Sequence, residues 1–332
     1  MNQMKLSDQD KTKIASLDVA AQPKRDLLVD AFYRLLRNKA AVAGFVVIVL
    51  FLLIAIFADV LSPHNPLQMN SGKGYLPAAW VKDYNGKSGE AQFLFGTDTL
   101  GRDVLSRTIY GARVSMAVGF LPTMVILIIG TVIGMLAGYR GGWIDNLLMR
   151  ITDVVFAFPD LLFFIIITIA LRDTPIGQLM NGLFLLFFAL ALVNWVGLAR
   201  VVRGQVLSLK EKEFVEAARC IGASDGRIMF KHILPNSLGP IIIIAALTIP
   251  GMIITEAILG YLGLGLRPPT NPNDLPVFIT SWGDLMLQGQ QAIRTQPWLL
   301  LAPASCVSLV VLAFTFLGDG LRDALDPRLQ GS

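Results

Sequence analysis

Apolar residues lie in long uninterrupted blocks along this 332-residue chain. Five stretches contain no charged residue and no histidine: 40–58, 114–138, 174–199, 233–255 and 295–318. A sixth stretch, 154–171, is interrupted only by Asp160. Because a helix of ~20 apolar residues crosses the hydrocarbon core of a bilayer, the pattern predicts six transmembrane helices.

The continuous apolar runs favour helices over a β-barrel, whose strands would alternate apolar and polar residues over ~10 positions. A helix also satisfies its backbone hydrogen bonds internally, as lipid requires. Hydrophobic residues make up 54% of the chain and charged residues only 16%, whereas a soluble domain carries ~25% charged residues. The expected class is an all-α integral membrane protein, and the composition excludes an ordinary soluble enzyme.

The basic residues predict the orientation of the chain in the membrane. With six helices, 19 of the 28 lysines and arginines fall on one side, in segments 1–39, 139–153, 200–232 and 319–332. The positive-inside rule therefore places both termini in the cytoplasm. The apolar run at 40–58 exceeds the ~7–15 residues of a signal peptide core, so it is expected to remain as a signal anchor.

The predicted cytoplasmic segment 200–232 contains a short amphipathic helix. Ser208 and Glu211 have the spacing of a capping box, which predicts a helix start near Leu209, and Gly222 suits a helix end. Four apolar residues share one predicted helical face: Phe214, Ala217, Ala218 and Ile221. Such a helix either lies on the membrane surface or docks into a groove of a partner.

Residues of this segment resemble the EAA loop of ABC importer permeases, E-A-A-x3-G-x9-I-x-L-P. The matching positions are Glu216, Ala217, Ala218, Gly222, Leu234 and Pro235, whereas His232 stands in place of the isoleucine. Two further segments, FGTDTLGRDVLSRTIYGARVS at 95–115 and GDGLRDALDPRL at 318–329, resemble the C-type membrane subunit of dipeptide and oligopeptide permeases. The resemblance extends from about residue 30 to about residue 330.

The resemblance implies a type I ABC importer permease fold and one half of the translocation pathway of an ATP-driven peptide importer. It implies three kinds of protein partner: a homologous B-type permease subunit, a pair of ATP-binding subunits and an extracytoplasmic peptide-binding protein. ATP and Mg would bind the partner subunits, with no cofactor and no nucleic acid on this chain. The implied location is a bacterial or archaeal cytoplasmic membrane. The cargo stays open, since related permeases also carry nickel chelates or antimicrobial peptides.

The expected organisation follows from the spans and the resemblance together. It comprises a cytoplasmic segment at 1–39, a first transmembrane helix at 40–61, an extracytoplasmic loop at 62–113, a permease core of five helices at 114–318 and a cytoplasmic tail at 319–332. The core includes the coupling loop at 200–235. By resemblance, the residues that contact the ATPase are Phe214, Glu216, Ala217, Ala218, Gly222, Ala223, Leu234 and Pro235.

The outer loop ends in a segment with an amphipathic pattern. Thr97 or Asp98 is expected to cap a short helix at the membrane surface, with Arg102 on its polar face. By resemblance this surface meets the binding protein, and the candidate contacts are Thr97, Asp98, Arg102 and Asp103. In the second span, Gly130, Gly134 and Gly138 recur every four residues, which permits close helix packing.

Two acidic residues, Asp160 and Glu256, lie in or beside apolar spans. Charges there are costly, so each is either a structural hydrogen-bonding group or a residue that lines the transport pathway. An ion-coupled secondary transporter that uses both acids is the alternative to an ATP-driven importer, and a membrane scaffold is a third class. The EAA loop disfavours both the secondary transporter and the scaffold.

The sequence offers no catalytic or metal-binding pattern. Gly86-Lys87-Ser88 resembles the end of a P-loop, but Val81 occupies the first glycine position and no apolar strand precedes it. His64 and His232 are the only histidines and form no HExxH motif. The two cysteines, Cys220 and Cys306, lack metal or disulfide spacing. We therefore expect a transport subunit without enzymatic activity.

Overall fold

A computed structural model describes residues 27–82, 88–267 and 276–325 of the chain. The described elements are α1 Leu27–Arg37, α2 Lys39–Ile56, α3 Ala58–Leu61, α4 Val104–Arg140, α5 Gly142–Phe156, α6 Asp160–Leu171, α7 Pro175–Gln178, a 3-10 turn Leu179–Gly182, α8 Leu183–Leu209, α9 Glu213–Cys220, α10 Asp225–Arg227, a π-turn Ile228–Ile233, α11 Leu234–Tyr261, α12 Trp282–Gln291 and α13 Trp298–Leu325. Within these ranges the only β pairing is two isolated bridges.

Among the described residues, five helical stretches are long and apolar enough to cross a membrane: Lys39–Ile56, Val104–Arg140, Pro175–Leu209, Asp225–Tyr261 and Trp298–Leu325. Helices α5 and α6 meet at an angle of 80°, and the count becomes six if this bent pair forms one span. The predicted class, an all-α protein with several membrane spans, is confirmed.

The continuous helix predicted over 154–171 is wrong, because the chain bends between Phe156 and Asp160. Pro159 precedes α6 with an extended backbone, and a proline disfavours helical geometry at the residue before it. The 12 residues of α6 extend only about 18 Å, less than the ~30 Å hydrocarbon core.

The long helix α4 begins ten residues before the predicted second span. Asp103 is its N-cap, and the Asp103 carboxylate accepts a hydrogen bond of 2.9 Å from the Ser106 backbone N–H. The separate surface helix predicted to start at Thr97 or Asp98 is therefore wrong. Residues 104–113 instead form the first turns of a 37-residue helix.

Close packing of α4 against α8 uses the glycines of the predicted small-residue face. A Cβ atom on Gly130 would lie 2.9 Å from the Leu198 side chain. On Gly134 it would lie 2.5 Å from the Ala199 carbonyl oxygen, and on Gly138 2.8 Å from the Val206 Cβ. These distances leave no room for a side chain, so the three glycines allow the two helices to touch along three turns.

The short helix α12 is a feature that the apolar pattern did not reveal. Trp282, fully buried at its start, donates a 3.0 Å hydrogen bond from its indole nitrogen to the Thr108 carbonyl of α4. Its ring occupies the space left by the missing side chain of Gly111, where a Cβ would lie 2.7 Å from the Trp282 Cδ1. The N-terminal ends of α4 and α13 and the C-terminal end of α11 therefore pack around a helix too short to span the membrane.

The glycine contacts predict opposite effects of alanine at two helical glycines. Gly134→Ala should destabilise the subunit by about 1–3 kcal/mol, because the added methyl overpacks the α4–α8 contact. Gly197→Ala is the matched control, since a Cβ at Gly197 meets no atom within 4 Å. That change should be neutral or stabilise α8 by up to about 1 kcal/mol. Thermal unfolding in detergent measures both, and equal effects would contradict the packing.

Candidate functional site

The predicted coupling helix begins later than its capping pattern indicated. Helix α8 continues to Leu209, so Ser208 lies inside α8 and caps nothing. Helix α9 starts at Glu213 after Lys212. The predicted start near Leu209 is wrong because α8 still packs on the bundle at that point, with Val206 fully buried beneath it.

Gly222 ends α9 as predicted. Its backbone φ of +79° lies in the left-handed region that favours glycine. The Gly222 N–H donates to the Arg219 carbonyl at 2.9 Å, and the Ala223 N–H donates to the Ala218 carbonyl at 3.0 Å. These two bonds form a Schellman motif, which fixes the direction in which the chain leaves the helix.

Helix α9 rests on the bundle through a narrow face. Val215 is fully buried and Ala218 is 4% exposed, and both pack in a cluster with Ile228 and Ile233. Of the predicted apolar stripe, only Ala218 belongs to this face; Phe214, Ala217 and Ile221 are exposed. Because the helix is anchored by two residues three positions apart, the rest of its surface stays open to a partner.

The other predicted coupling residues lie around the same helix. Glu216 is exposed on α9, and Ala223 is partly buried just after it. Leu234 and Pro235 form the first turn of α11, where Leu234 is partly buried and Pro235 exposed. All eight residues therefore lie in one stretch from α9 to the first turn of α11, at one end of the bundle.

Polar contacts that the sequence did not reveal connect this loop to α4. The Tyr139 hydroxyl donates a 3.0 Å hydrogen bond to the Asp225 carboxylate, and Arg140 lies 3.6 Å from the same carboxylate. The Arg219 guanidinium lies 5.8 Å from the centre of the Tyr139 ring, within range of a cation–π contact. The last turn of α4 thus contacts the segments on both sides of Gly222.

The four residues predicted to face the binding protein are buried instead: Thr97, Asp98, Arg102 and Asp103 are each at most 8% exposed. The Asp98 carboxylate accepts hydrogen bonds from the backbone N–H groups of Leu100 and Arg102 at 2.9 and 3.0 Å. It also accepts from the Arg102 side chain at 2.7 Å and from the Arg107 guanidinium. The prediction is corrected, because these side chains satisfy one another inside the loop.

Thr97 and Asp103 hold the same segment in place. The Thr97 hydroxyl accepts a 2.9 Å hydrogen bond from the Leu76 N–H and donates to the Lys73 carbonyl. Asp103 caps α4 and forms an isolated bridge with Thr97. The motif at 95–103 therefore shapes the outer loop and positions the start of α4.

The two acids considered for the pathway lie in different surroundings. Asp160 is exposed in the first turn of α6. Glu256 is 1% exposed on α11 and accepts a 3.0 Å hydrogen bond from the Ser115 hydroxyl of α4. Beside it, burial and the neighbouring Glu256 charge raise the pKa of Asp284 on α12 to about 7. A role of Asp160 or Glu256 in the pathway stays a prediction.

Neither cysteine in the described part of the chain has a disulfide partner: Cys220 is exposed and Cys306 is partly buried. Across the same residues, no group of three or more His, Cys, Asp or Glu side chains is placed to hold a metal ion.

The Asp98 cluster predicts a large effect of neutralising that carboxylate. Asp98→Asn should destabilise the subunit by about 3–5 kcal/mol, because it leaves two nearly buried arginines without their charge partner. Asp173→Asn is the control, since the Asp173 side chain is 92% exposed in its pair with Arg267. Exposed pairs contribute less than about 1 kcal/mol. Unfolding temperatures compare the two variants, and similar losses would contradict a structural role for Asp98.

Comparison with known sequences identifies relatives over most of the chain. The family described as binding-protein-dependent transport system inner membrane component matches residues 130–331. The family described as N-terminal TM domain of oligopeptide transport permease C matches residues 27–78. The two matches fall on either side of the outer loop segment that carries the Asp98 cluster.

Individual relatives cover nearly the whole chain. The oligopeptide transport system permease protein OppC of Bacillus subtilis is 40% identical over 301 residues, which are 91% of this chain and 90% of the relative. The dipeptide transport system permease protein DppC of Alkalihalophilus pseudofirmus is 41% identical over the same share of each chain. A solved chain of the inward-facing MetNI methionine ABC transporter aligns with a TM-score of 0.47 and 19% identity, covering 67% of this chain and 96% of that chain.

Proposed function

Because the chain belongs to the family of inner membrane components of binding-protein-dependent transport systems, we propose that it is one of two permease subunits of an ATP-driven peptide importer. The peptide cargo is inferred from relatives named for oligopeptide and dipeptide transport. The subunit would pair with a homologous permease in a cytoplasmic membrane, receive cargo from an external binding protein and couple to two ATPase subunits.

The exposed surface of α9 carries this proposal. Ile221 is 85% exposed beside the glycine cap, and Phe214 is 39% exposed on the same short helix. Large apolar side chains at such exposure suit a site that a partner covers. Exposed charged residues, Glu216 among them, alternate along α9 with these apolar groups, and an interface likewise combines apolar contacts with a polar rim.

A movement of α9, once it is docked on an ATPase subunit, would be transmitted to the membrane helices through the contacts described above. Helix α9 presses Val215 and Ala218 onto the bundle, and Asp225 and Arg219 contact the end of α4. A shift of α9 on ATP binding would therefore act on α4, α8 and α11 together. Such rigid-body transfer between packed helices is a known route of conformational switching.

Substitution at Gly222 tests the coupling role. Gly222→Val should lower the amount of ATPase that copurifies with tagged chain severalfold, because a β-branched residue is strained at φ +79°. Gly226→Val is the matched control, since a Cβ at either glycine meets no atom within 4 Å and Gly226 has no positive φ. Mass spectrometry of a mild-detergent pull-down gives the measurement. Equal ATPase recovery with both variants, or a homo-oligomer without ATPase from the wild type, would overturn the proposal.

Two engineered cysteines test the proposed orientation. Ser88 lies in the outer loop and Ser224 in the coupling loop, and both are exposed. After replacement of the native cysteines by serine, Ser88→Cys should react with a membrane-impermeant maleimide in intact spheroplasts. Ser224→Cys should react only after permeabilisation. The reverse labelling pattern would place the coupling loop outside and exclude cytoplasmic ATPases as its partner.

A further inference from the structure

A cavity of about 190 Å³ lies between the outer loop, the end of α6, the end of α11 and α12. This volume has room for about six water molecules at ~30 Å³ each. Three arginines dominate its polar lining: Arg102, Arg107 and Arg172. The other polar residues of the lining are Thr280, Asp284 and Gln288. Apolar side chains such as Leu67 and Leu266 form the rest.

The cavity is at the end of the bundle away from the coupling loop. Helix α11 starts next to that loop and runs for 28 residues, or about 42 Å, before Gly263 and Leu266 reach the cavity. The N-terminal end of α4, which supplies Arg107, lies at the same end. In the proposed orientation this is the side from which cargo arrives.

Two buried polar atoms in the cavity wall have no hydrogen-bond partner among the described residues: the Nε of Arg107 and the hydroxyl of Thr280. Arg107 is 4% exposed and Thr280 is 3% exposed. Leaving such groups unpaired costs the free energy of their desolvation. A small shift of either side chain toward the cavity would let a ligand that accepts hydrogen bonds remove that cost.

The charges in the wall favour an anion. Arg102 and Arg107 share the Asp98 carboxylate, and Gln288 accepts a further 2.7 Å hydrogen bond from Arg107. Arg172 donates to the Gly263 carbonyl at 3.2 Å and forms no ion pair within the described ranges. Asp284 is the one carboxylate that lines the cavity, and burial raises its pKa to about 7, which weakens its opposition to an anion near neutral pH.

We propose that this cavity is a binding site for a carboxylate group, namely the C-terminal carboxylate of a peptide. The planar guanidinium of arginine matches the two oxygens of a carboxylate, and within the described ranges Arg172 pairs with no carboxylate that would compete for that contact. The volume admits a terminal residue rather than a whole peptide, so recognition would be independent of most side chains. The peptide as source of the carboxylate rests on the proposed function, whereas the carboxylate chemistry rests on the cavity alone.

Binding to the full chain in lipid nanodiscs tests the site directly. Calorimetry with trialanine should detect binding, and trialanine amide should bind at least about tenfold more weakly, because the amide loses the charge-assisted hydrogen bonds. Acetate should compete with trialanine. Acid and amide of equal affinity, or no binding of either trialanine or acetate, would overturn the proposal.

Arg172→Gln should weaken trialanine binding at least about tenfold without lowering the unfolding temperature, since Arg172 pairs with no carboxylate in the described part of the chain. Arg294→Gln is the control, because Arg294 is exposed and does not line the cavity. It removes the same charge and should leave the affinity within about twofold of the wild type. An equal loss of trialanine affinity in both variants would show that only the net charge of the protein matters, and it would contradict the site.

Thr280→Val separates a ligand contact from a structural role. The hydroxyl has no partner among the described residues to lose, so the variant should be as stable as the wild type, or more stable, while binding trialanine severalfold more weakly. Thr168→Val is the matched control, since the Thr168 hydroxyl on α6 is also buried without a described partner but lies outside the cavity. Loss of stability without loss of affinity in Thr280→Val would contradict a ligand role.

Other outcomes identify the molecule that supplies the carboxylate, and they separate a failure of this proposal from a failure of the proposed function. Acetate binding that depends on Arg172, without trialanine binding, would keep the carboxylate site and exclude peptide as its ligand. Inorganic phosphate that binds more tightly than acetate would overturn the carboxylate assignment in favour of a phosphate group. Failure of the ATPase pull-down would contradict the proposed function alone, since acetate binding does not depend on it.

Discussion

The contact between α4 and α8 is the constraint on which the rest of the structure depends. Three glycines at four-residue spacing bring the two helix backbones together where no Cβ fits. Lipid supplies no hydrophobic force between helices, so close packing of this kind holds a membrane bundle together. With 37 residues, α4 is about 56 Å long, and it therefore reaches from this contact to both ends of the bundle.

Each end of α4 is fixed by polar groups rather than by apolar packing alone. At its start, Asp103 caps the helix, and Arg107 reaches the Asp98 carboxylate. At its end, Tyr139 and Arg140 contact Asp225 beside the coupling loop. Charges are cheapest near the ends of a span, so the chain places its ion pairs there and leaves glycines and aliphatic residues between them. One helix thereby connects the arginine-lined cavity with the segment around α9 at the opposite end of the bundle.

The apolar blocks predicted the helices well because crossing lipid demands length and hydrophobicity, and both are visible in sequence. Gly222 was also predictable, since a glycine after a short helical pattern has few other uses. The bend at Pro159 was hidden by the apolar residues on both sides of it. Helix α12 was hidden because ten residues with polar members resemble a loop. Its place depends on Trp282 and Gly111, which are far apart in sequence.

The outer segment shows why spacing alone misassigned its charged residues. Asp98 and Arg102 have the appearance of an exposed amphipathic face, yet they are buried because each satisfies the other and because Arg107 joins them from the next helix. A periodic pattern records which residues are polar, but whether water or another side chain satisfies them depends on tertiary contacts. Once Asp98 is committed to two arginines, Arg172 remains the guanidinium at the cavity without a carboxylate partner among the described residues. The proposed carboxylate site therefore depends on Arg172, whose charge no described carboxylate neutralises, rather than on the two arginines that Asp98 already holds.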